Sequence, residues 1–558
     1  MTQDSELGIT TVHARFHSAF KKNCNRMKKI FWTLLLLLCS LTSFSQSYFE
    51  DGLSSDWHKG RRAELRKLMP ANSVAVFFNN PVKNRTNDVD YVYHPNTDFF
   101  YLTGFREPNA VLVIFSEVRE VNGKMSDELI FLQNRDPRAE MWNGKRLGVE
   151  GMMSELGFDE AMLNSEFGAK SGINLQDFDK VLTFSLSEEI EGSSTNAPLI
   201  QMVEEFKTAT AYPEKLNEAT AQIYKMIQNS DLESSDQVVQ MLKRYERQYP
   251  EMMEDPLISS FMNAESPEKR MVVKDGIPEH KVDITSLSSM MASLREIKTP
   301  EEITLLKKAV KISAVGQIEV MKAAKVGMTE REIQGVHEFI YKRYGAEELG
   351  YPSIVGAGNN GCILHYIEND KRDLTDRLLL MDLGAEWRGY TADVTRTIPI
   401  NGKFNEEEKA IYELVYQAQE AGISISKPGT TFQEIDEAGR KIINDGLVKL
   451  GIVKAGESHM YFPHGTSHHI GLDVHDRGTR EPLREGMIFT IEPGIYIPEG
   501  SNCDKKWWGI GVRIEDDILI TKDGAINLSG DAPRSVAAIE EMMKLPSVLE
   551  DWVLPEID

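Results

Sequence analysis

Short apolar runs broken by turn residues dominate the chain from about residue 55 to 150. SVAVFF (73–78), AVLVIF (110–115) and ELIFLQ (128–133) are rich in β-branched and aromatic residues and predict strands of a mixed sheet. From about 155 to 285 the spacing changes. Apolar residues recur at intervals of three and four in stretches such as SSDQVVQMLKRYERQY (234–249). That period predicts a largely helical extension whose charged residues form a solvated face. The pattern shifts again near Ser286, where residues 286–324 read as two helices. Thr299 as N-cap, Pro300 at the first helical position and Glu301 and Glu302 in the first turn mark the start of the second. Beyond it helices alternate with strand-like runs such as RLLLMDLG (377–384) and GMIFTIEP (486–493). The expected organisation is a smaller mixed α/β N-terminal domain over 50–154 and a helical extension over 155–285. An α+β domain over 286–545 and a tail over 546–558 follow.

The first 45 residues read differently. Met27-Lys28-Lys29 precedes an apolar run over 30–44, and Ser43 and Ser45 place small residues ahead of a cleavage point before Gln46. This is the layout of a secretory signal over 27–45, so the chain is expected to be exported, to the periplasm. A membrane anchor is the alternative, although the run is shorter than the roughly 20 residues that span a bilayer. Residues 1–26 read as an extension ahead of a start at Met27. Two of the four cysteines, Cys24 and Cys39, lie in this region, which leaves Cys362 and Cys503 and no disulfide framework.

With 558 residues and 41% hydrophobic content the chain holds two or three cores. A formal net charge of −23 argues against a nucleic-acid partner and favours attraction of cations.

Candidate chemistry concentrates in 353–517. In LLLMDLGAEWRGYTADVTRT, residues 386–389 read as a turn pairing Ala385 with Tyr390, which sets Asp382 directly opposite Asp393. Like charges in that relation are destabilising unless a cation lies between them. A register that turns the two acids to opposite faces, both solvated, stays open on this pair alone. His468 in FPHGTSHHIGLDVHD, Glu492 in FTIEPG and Glu515 in GIGVRIEDDILIT complete the group. Glu515 sits within a run of Ile and Val, where an unpaired carboxylate is costly. Four carboxylates and a neutral imidazole carry −4, which two divalent cations balance. Oxygen-rich donors favour Mn²⁺ over Zn²⁺. The chain has no HExxH helix of a single-zinc protease.

In this order the segments resemble the pita-bread metallopeptidases, which include methionine aminopeptidase, Xaa-Pro dipeptidase, creatinase and aminopeptidase P. The fullest resemblance is to bacterial aminopeptidase P. IVGAGNNGCILHYIEN, MDLGAEWRGYTADVTRTIPINGKF and HGTSHHIGLDVHD carry it in the catalytic part, NTDFFYLTGFREPNAVLVI and AEMWNGKRLG in the N-terminal part. It implies a pita-bread catalytic domain and a dinuclear centre held by Asp382, Asp393, His468, Glu492 and Glu515, with Glu492 also acting as general base. It implies that His365 and His475 stabilise the developing oxyanion. His464 would line a proline pocket, Arg513 would orient ligands or a substrate carboxylate, and Trp142 would stand at the mouth of the site. The implied substrates are peptides with proline second, in a dimer or tetramer. Xaa-Pro dipeptidase is the alternative activity, and a non-catalytic binding module on the same fold a weaker one.

Overall fold

The computed structural model describes residues 52–549, except 187–189, 191, 214–216 and 376. The expected leader over 27–45, the segment before it and the end of the tail lie outside the described residues. Among the described residues no helix is long and apolar enough to cross a membrane.

Six strands form the N-terminal sheet, in the order Ala161–Leu163, Lys124–Leu132, Val111–Val121, Ser73–Phe78, Lys180–Leu182, Val282–Asp283. The central pairs are antiparallel and the outer ones parallel, so the sheet is mixed. Three of the six strands come from the stretch expected to be a helical extension. Residues 155–285 are therefore partly integral to the first domain. Strands of two or three residues are too short to show a period in the sequence. From Ala197 to Asp275 the described residues of that stretch are mostly helical. Glu218–Gln228, Ser235–Gln248, Pro256–Asn263 and Pro267–Asp275 close around their own core of Ile223, Ile227, Leu242, Ile258 and Phe261.

The catalytic domain rests on four long helices: Pro300–Ala323, Glu330–Arg343, Glu406–Ile425 and Phe432–Lys449. Each opens with a reciprocal capping box, Thr299 with Glu302, Thr329 with Glu332, Asn405 with Glu408 and Thr431 with Glu434. Two otherwise orphaned amide donors are satisfied at each start. The helices pack on two long hairpins, and Leu379, Met381, Ile398, Ile411, Val415 and Val512 belong to the shared core.

Both hairpins are interrupted midway. In the first, Leu378–Asp382 pairs with Thr395–Pro399, and Ala385–Trp387 continues against Tyr390–Thr391. In the second, Ile488–Ile491 pairs with Asp516–Thr521, and Gly494–Ile497 continues against Ile510–Arg513. The expected acid pairing differs in register. The first turn consists of Arg388 and Gly389 alone, both at positive φ, 53° and 85°. That is the two-residue hairpin geometry whose twist matches the flanking strands. Trp387 consequently pairs with Tyr390, and Asp382 pairs with Thr395 rather than Asp393. A slip of two residues preserves the face, so both acids still point to one side. In the second hairpin the register on either side of the break sets Glu492 directly opposite Glu515.

The N-terminal domain is tied to the loop that carries His475. Arg295 is buried and bonds Asp98 at 2.7 Å, Asp473 at 2.8 Å and also Asp476, while Lys298 bonds Asp476 at 2.5 Å.

Candidate metal centre

Both hairpin breaks open onto one cavity of about 730 Å³. Asp382, Asp393, His468, Glu492 and Glu515 all line it, as do His365, His464, His475 and Arg513. Trp142 does not. It lies 86% exposed on Pro137–Asn143, a short helix without a buried residue. In this chain it forms no wall of the cavity. A cavity of about 860 Å³ on the N-terminal domain is larger but gathers no convergent acid and imidazole groups. Chemistry rather than size selects the site.

Each donor is held by its surroundings. Tyr351 Oη lies 2.5 Å from Asp382 Oδ1 and 2.6 Å from Asp393 Oδ1. A phenol has one proton and can donate to only one of them. Arg513 Nη2 donates to Asp382 Oδ2 at 2.5 Å, and Thr395 Oγ1 donates to Glu515 Oε2 at 2.7 Å. The backbone of His468 is laced to Thr490, and the amide of Glu492 donates to Thr466 O at 2.8 Å. His468 Nδ1 lies 3.0 Å from the carbonyl of His469 and donates to it. Its Nε2 is thereby left with a lone pair facing Asp393, Glu492 and Glu515 at 3.5, 3.4 and 3.8 Å.

The electrostatics are those of acids crowded together. Burial drives Asp393 and Glu515 well above the usual carboxylate range, and the neighbouring carboxylates push them further. Burial also raises Glu492, against the pull of His468 and Arg513. In Asp382 burial is outweighed by the Arg513 guanidinium and the Tyr351 hydrogen bond, and its carboxyl stays low. Burial and Arg513 lower His464 to about 4, and burial with the facing His468 and His365 lowers His475 to about 4. Asp393, His468 and Glu515 each offer a ligand atom within 4.8 Å of the others. The donor set fits hard divalent cations, whose charge would offset the repulsion.

Three participants carried no sequence signal. Tyr351 bridges the two aspartates, Thr395 holds Glu515, and Tyr496 links Arg513 Nη1 at 3.0 Å to His464 Nε2 at 2.8 Å. A single tyrosine or threonine inside a strand or before a proline forms no recognisable spacing.

An α+β scaffold with a buried acid-rich cavity and one available imidazole defines a divalent-metal protein. The comparisons sharpen this class. Metallopeptidase family M24 matches residues 304–522, and the aminopeptidase P N-terminal domain matches 58–181. The Xaa-Pro aminopeptidase of Escherichia coli K12 is 33% identical over 496 residues, covering 87% of this chain and 96% of the relative. Xaa-Pro aminopeptidase 3 of Rattus norvegicus is 30% identical, covering 88% and 86%. The solved structure of E. coli aminopeptidase P with the inhibitor Pro-Leu superposes with a TM-score of 0.67 at 31% identity, over 88% of this chain and 98% of that one. The chain belongs to metallopeptidase family M24 and has the pita-bread fold behind an aminopeptidase P-type N-terminal domain.

Proposed function

We propose that this protein is a metalloaminopeptidase that removes the first residue from peptides with proline in second position. The observation that carries the reading is the convergence of two Asp, two Glu and one His on a single cavity in a chain of this family. Asp382, Asp393, His468, Glu492 and Glu515 would hold two divalent ions, Mn²⁺ by preference for oxygen donors. Such ions, once bound, would supply Lewis-acid polarisation of the scissile carbonyl and a more acidic water. Glu492 faces the same space as His468, and its carboxylate takes the proton that the attacking water gives up and returns it to the proline nitrogen as the C–N bond breaks. His365 and His475 stand on the cavity wall, where an imidazole N–H donates to the carbonyl oxygen as negative charge develops. Pro352, Ile354, Leu364, Ile367 and Val474 give the same cavity an apolar side suited to a proline ring. His464, bonded to Tyr496, lines this pocket, and Arg513, bonded to Asp382, orients that ligand.

Export to the periplasm, resting on the leader pattern over 27–45, and assembly as a dimer or tetramer belong to the same proposal. Exposed Met141 and Trp142 are an apolar pair that such an assembly would cover, and light scattering in solution tests it.

The deciding experiment is hydrolysis, with added Mn²⁺, of Xaa-Pro-Yaa-Zaa peptides beside Xaa-Pro dipeptides. Release of the first residue from the longer peptides is expected. Cleavage of dipeptides alone would replace the reading by a dipeptidase. Glu492→Gln and His468→Ala should each be inactive while keeping a native circular dichroism spectrum; an active variant of either kind refutes the assignment.

A further inference from the structure

Two buried glutamines occupy equivalent places beneath the two hairpin breaks. Gln317, on Pro300–Ala323, and Gln419, on Glu406–Ile425, are both completely buried. Gln317 Nε2 donates to the carbonyls of Met381 at 3.2 Å and Val394 at 2.7 Å, the residues adjoining Asp382 and Asp393. Gln419 Nε2 donates to the carbonyls of Ile491 at 3.0 Å and Ile514 at 3.1 Å, the residues adjoining Glu492 and Glu515, and also meets Asp516 Oδ2 at 2.9 Å. The orientation of each amide is fixed by chemistry. Its neighbours are acceptors, and a reversed amide would set oxygen against oxygen.

Regular pairing lapses at both breaks. In the first it stops at Asp382 with Thr395 and resumes at Glu386 with Thr391, and between them the strands are joined by two single bonds, Leu383 N–H to Val394 O at 3.2 Å and Ala392 N–H to Ala385 O at 3.1 Å. In the second it stops at Ile491 with Asp516 and resumes at Gly494 with Arg513, and Pro493 between them has no N–H to contribute. Each amide therefore adds a link between two strands where their own ladder is thinned, and each strand carries one acid beside the joined carbonyl. Gln419 Oε1 accepts from Arg534 at 2.8 Å, whereas Gln317 Oε1 is buried without a partner. At Gln317 it is the paired donor that suits the site, since the acceptor goes unused.

We propose that Gln317 and Gln419 are positioning residues that set the spacing of the acids within each pair, and hence the affinity and geometry of the metal centre. The inference rests on the ligand assignment proposed above. It makes the two halves of the centre independently adjustable, one from each helix.

The test uses the full-length protein stripped with a chelator and titrated with Co²⁺, read by calorimetry and by the visible absorption of the bound ion. Gln317→Met and Gln419→Met keep side-chain length and remove the donor. Each is expected to weaken Co²⁺ binding by roughly 10–100-fold, as loss of a group supporting ligands does, and to change the absorption spectrum. Asn196→Leu removes a buried amide from the N-terminal domain, bonded to Val82 on both its atoms, and should leave Co²⁺ binding unchanged. Wild-type affinity and spectrum in both methionine variants, whatever their melting temperature, overturn the proposal. If a methionine variant fails to fold, the Gln→Asn variant, whose amide is drawn back by one methylene, is judged by the same criterion. A wild-type protein that binds no Co²⁺ sinks the ligand assignment itself, and the two failures are thus distinguishable.

Discussion

Arg513 Nη2 sits 2.5 Å from Asp382 Oδ2, and this contact makes the two aspartates of the site unequal. Asp382 has a permanent counter-charge and stays ionised. Asp393 has no Arg or Lys partner among the described residues and is driven toward its protonated form by burial and by Asp382. Arg513→Met leaves the Asp382 charge buried and unpaired. Breaking such a pair costs about 3–5 kcal/mol. The chelator-treated variant is expected to unfold at a correspondingly lower urea concentration than the chelator-treated parent. Equal midpoints would show that the pair contributes nothing to the folded state.

Asp393 presents the opposite case. Its carboxyl faces Asp382, Glu492 and Glu515, and without a cation it is a net liability. Asp393→Asn removes a carboxyl that the unfolded chain holds ionised and the folded site drives toward protonation, and keeps a group that Tyr351 can bond. Metal-free stability at neutral pH should rise by roughly 1–3 kcal/mol, because folding no longer has to bind a proton at this position. The rise in melting temperature that Mn²⁺ gives the parent should vanish at the same time. Thermal denaturation with and without Mn²⁺ checks both halves, and a variant that still gains stability from the ion contradicts them.

The acid-and-imidazole group was legible from the sequence because each member stands in a distinctive local context, and all five side chains do reach one cavity. The start of the helix at Thr299 was legible for a different reason, since capping is a local interaction. Register was not. Asn-Gly or Asp-Gly would have announced the two-residue turn, whereas Arg388 gives no hint that it adopts positive φ. The direct cross-strand relation expected of Asp382 and Asp393 belongs instead to Glu492 and Glu515. Short strands such as Lys180–Leu182 owe their existence to long-range pairing that no local pattern encodes. Tyr351, Gln317 and Gln419 escaped notice because their roles depend on backbone atoms brought near by the fold.

His337 supplies a pH dependence remote from the acids. It is wholly buried, neither ring nitrogen has a partner, and burial pushes it from its ordinary 6.5 down to about 3. As pH falls below 6.5 the unfolded chain binds a proton that the folded chain refuses. The stability tied to the neutral ring is thus complete above pH 6.5 and declines as the pH falls toward 3. At pH 5 the loss is about 2 kcal/mol. His337→Leu fills similar space and cannot titrate, so its stability relative to the parent should be about 2 kcal/mol better at pH 5 than at pH 8. Denaturant unfolding at the two pH values measures this, and a difference that does not change with pH would remove His337 from the account.

Gly384 lies across the first hairpin from Asp393, and its lack of a side chain is a condition for the site. A Cβ there would fall 2.0 Å from the carbonyl oxygen of Ala392 and 2.6 Å from Tyr351 Cε1. Neither neighbour is free to retreat. The amide of Ala392 bonds Ala385 O at 3.1 Å, and the Tyr351 hydroxyl is engaged with both aspartates. Gly384→Ala must push apart the strand that bears Asp393 or the ring that joins it to Asp382. Overpacking of this kind costs about 1–3 kcal/mol, and displacement of a ligand by an ångström is expected to lower peptidase activity by roughly 100-fold or more. Gly335, within Glu330–Arg343, makes the contrast, because a Cβ there meets nothing within 4 Å. Gly335→Ala should keep full activity and add up to about 1 kcal/mol through helix propensity. Melting curves and initial rates on the two variants decide the matter, and a fully active Gly384→Ala enzyme would show that the acids tolerate more movement than this close approach implies.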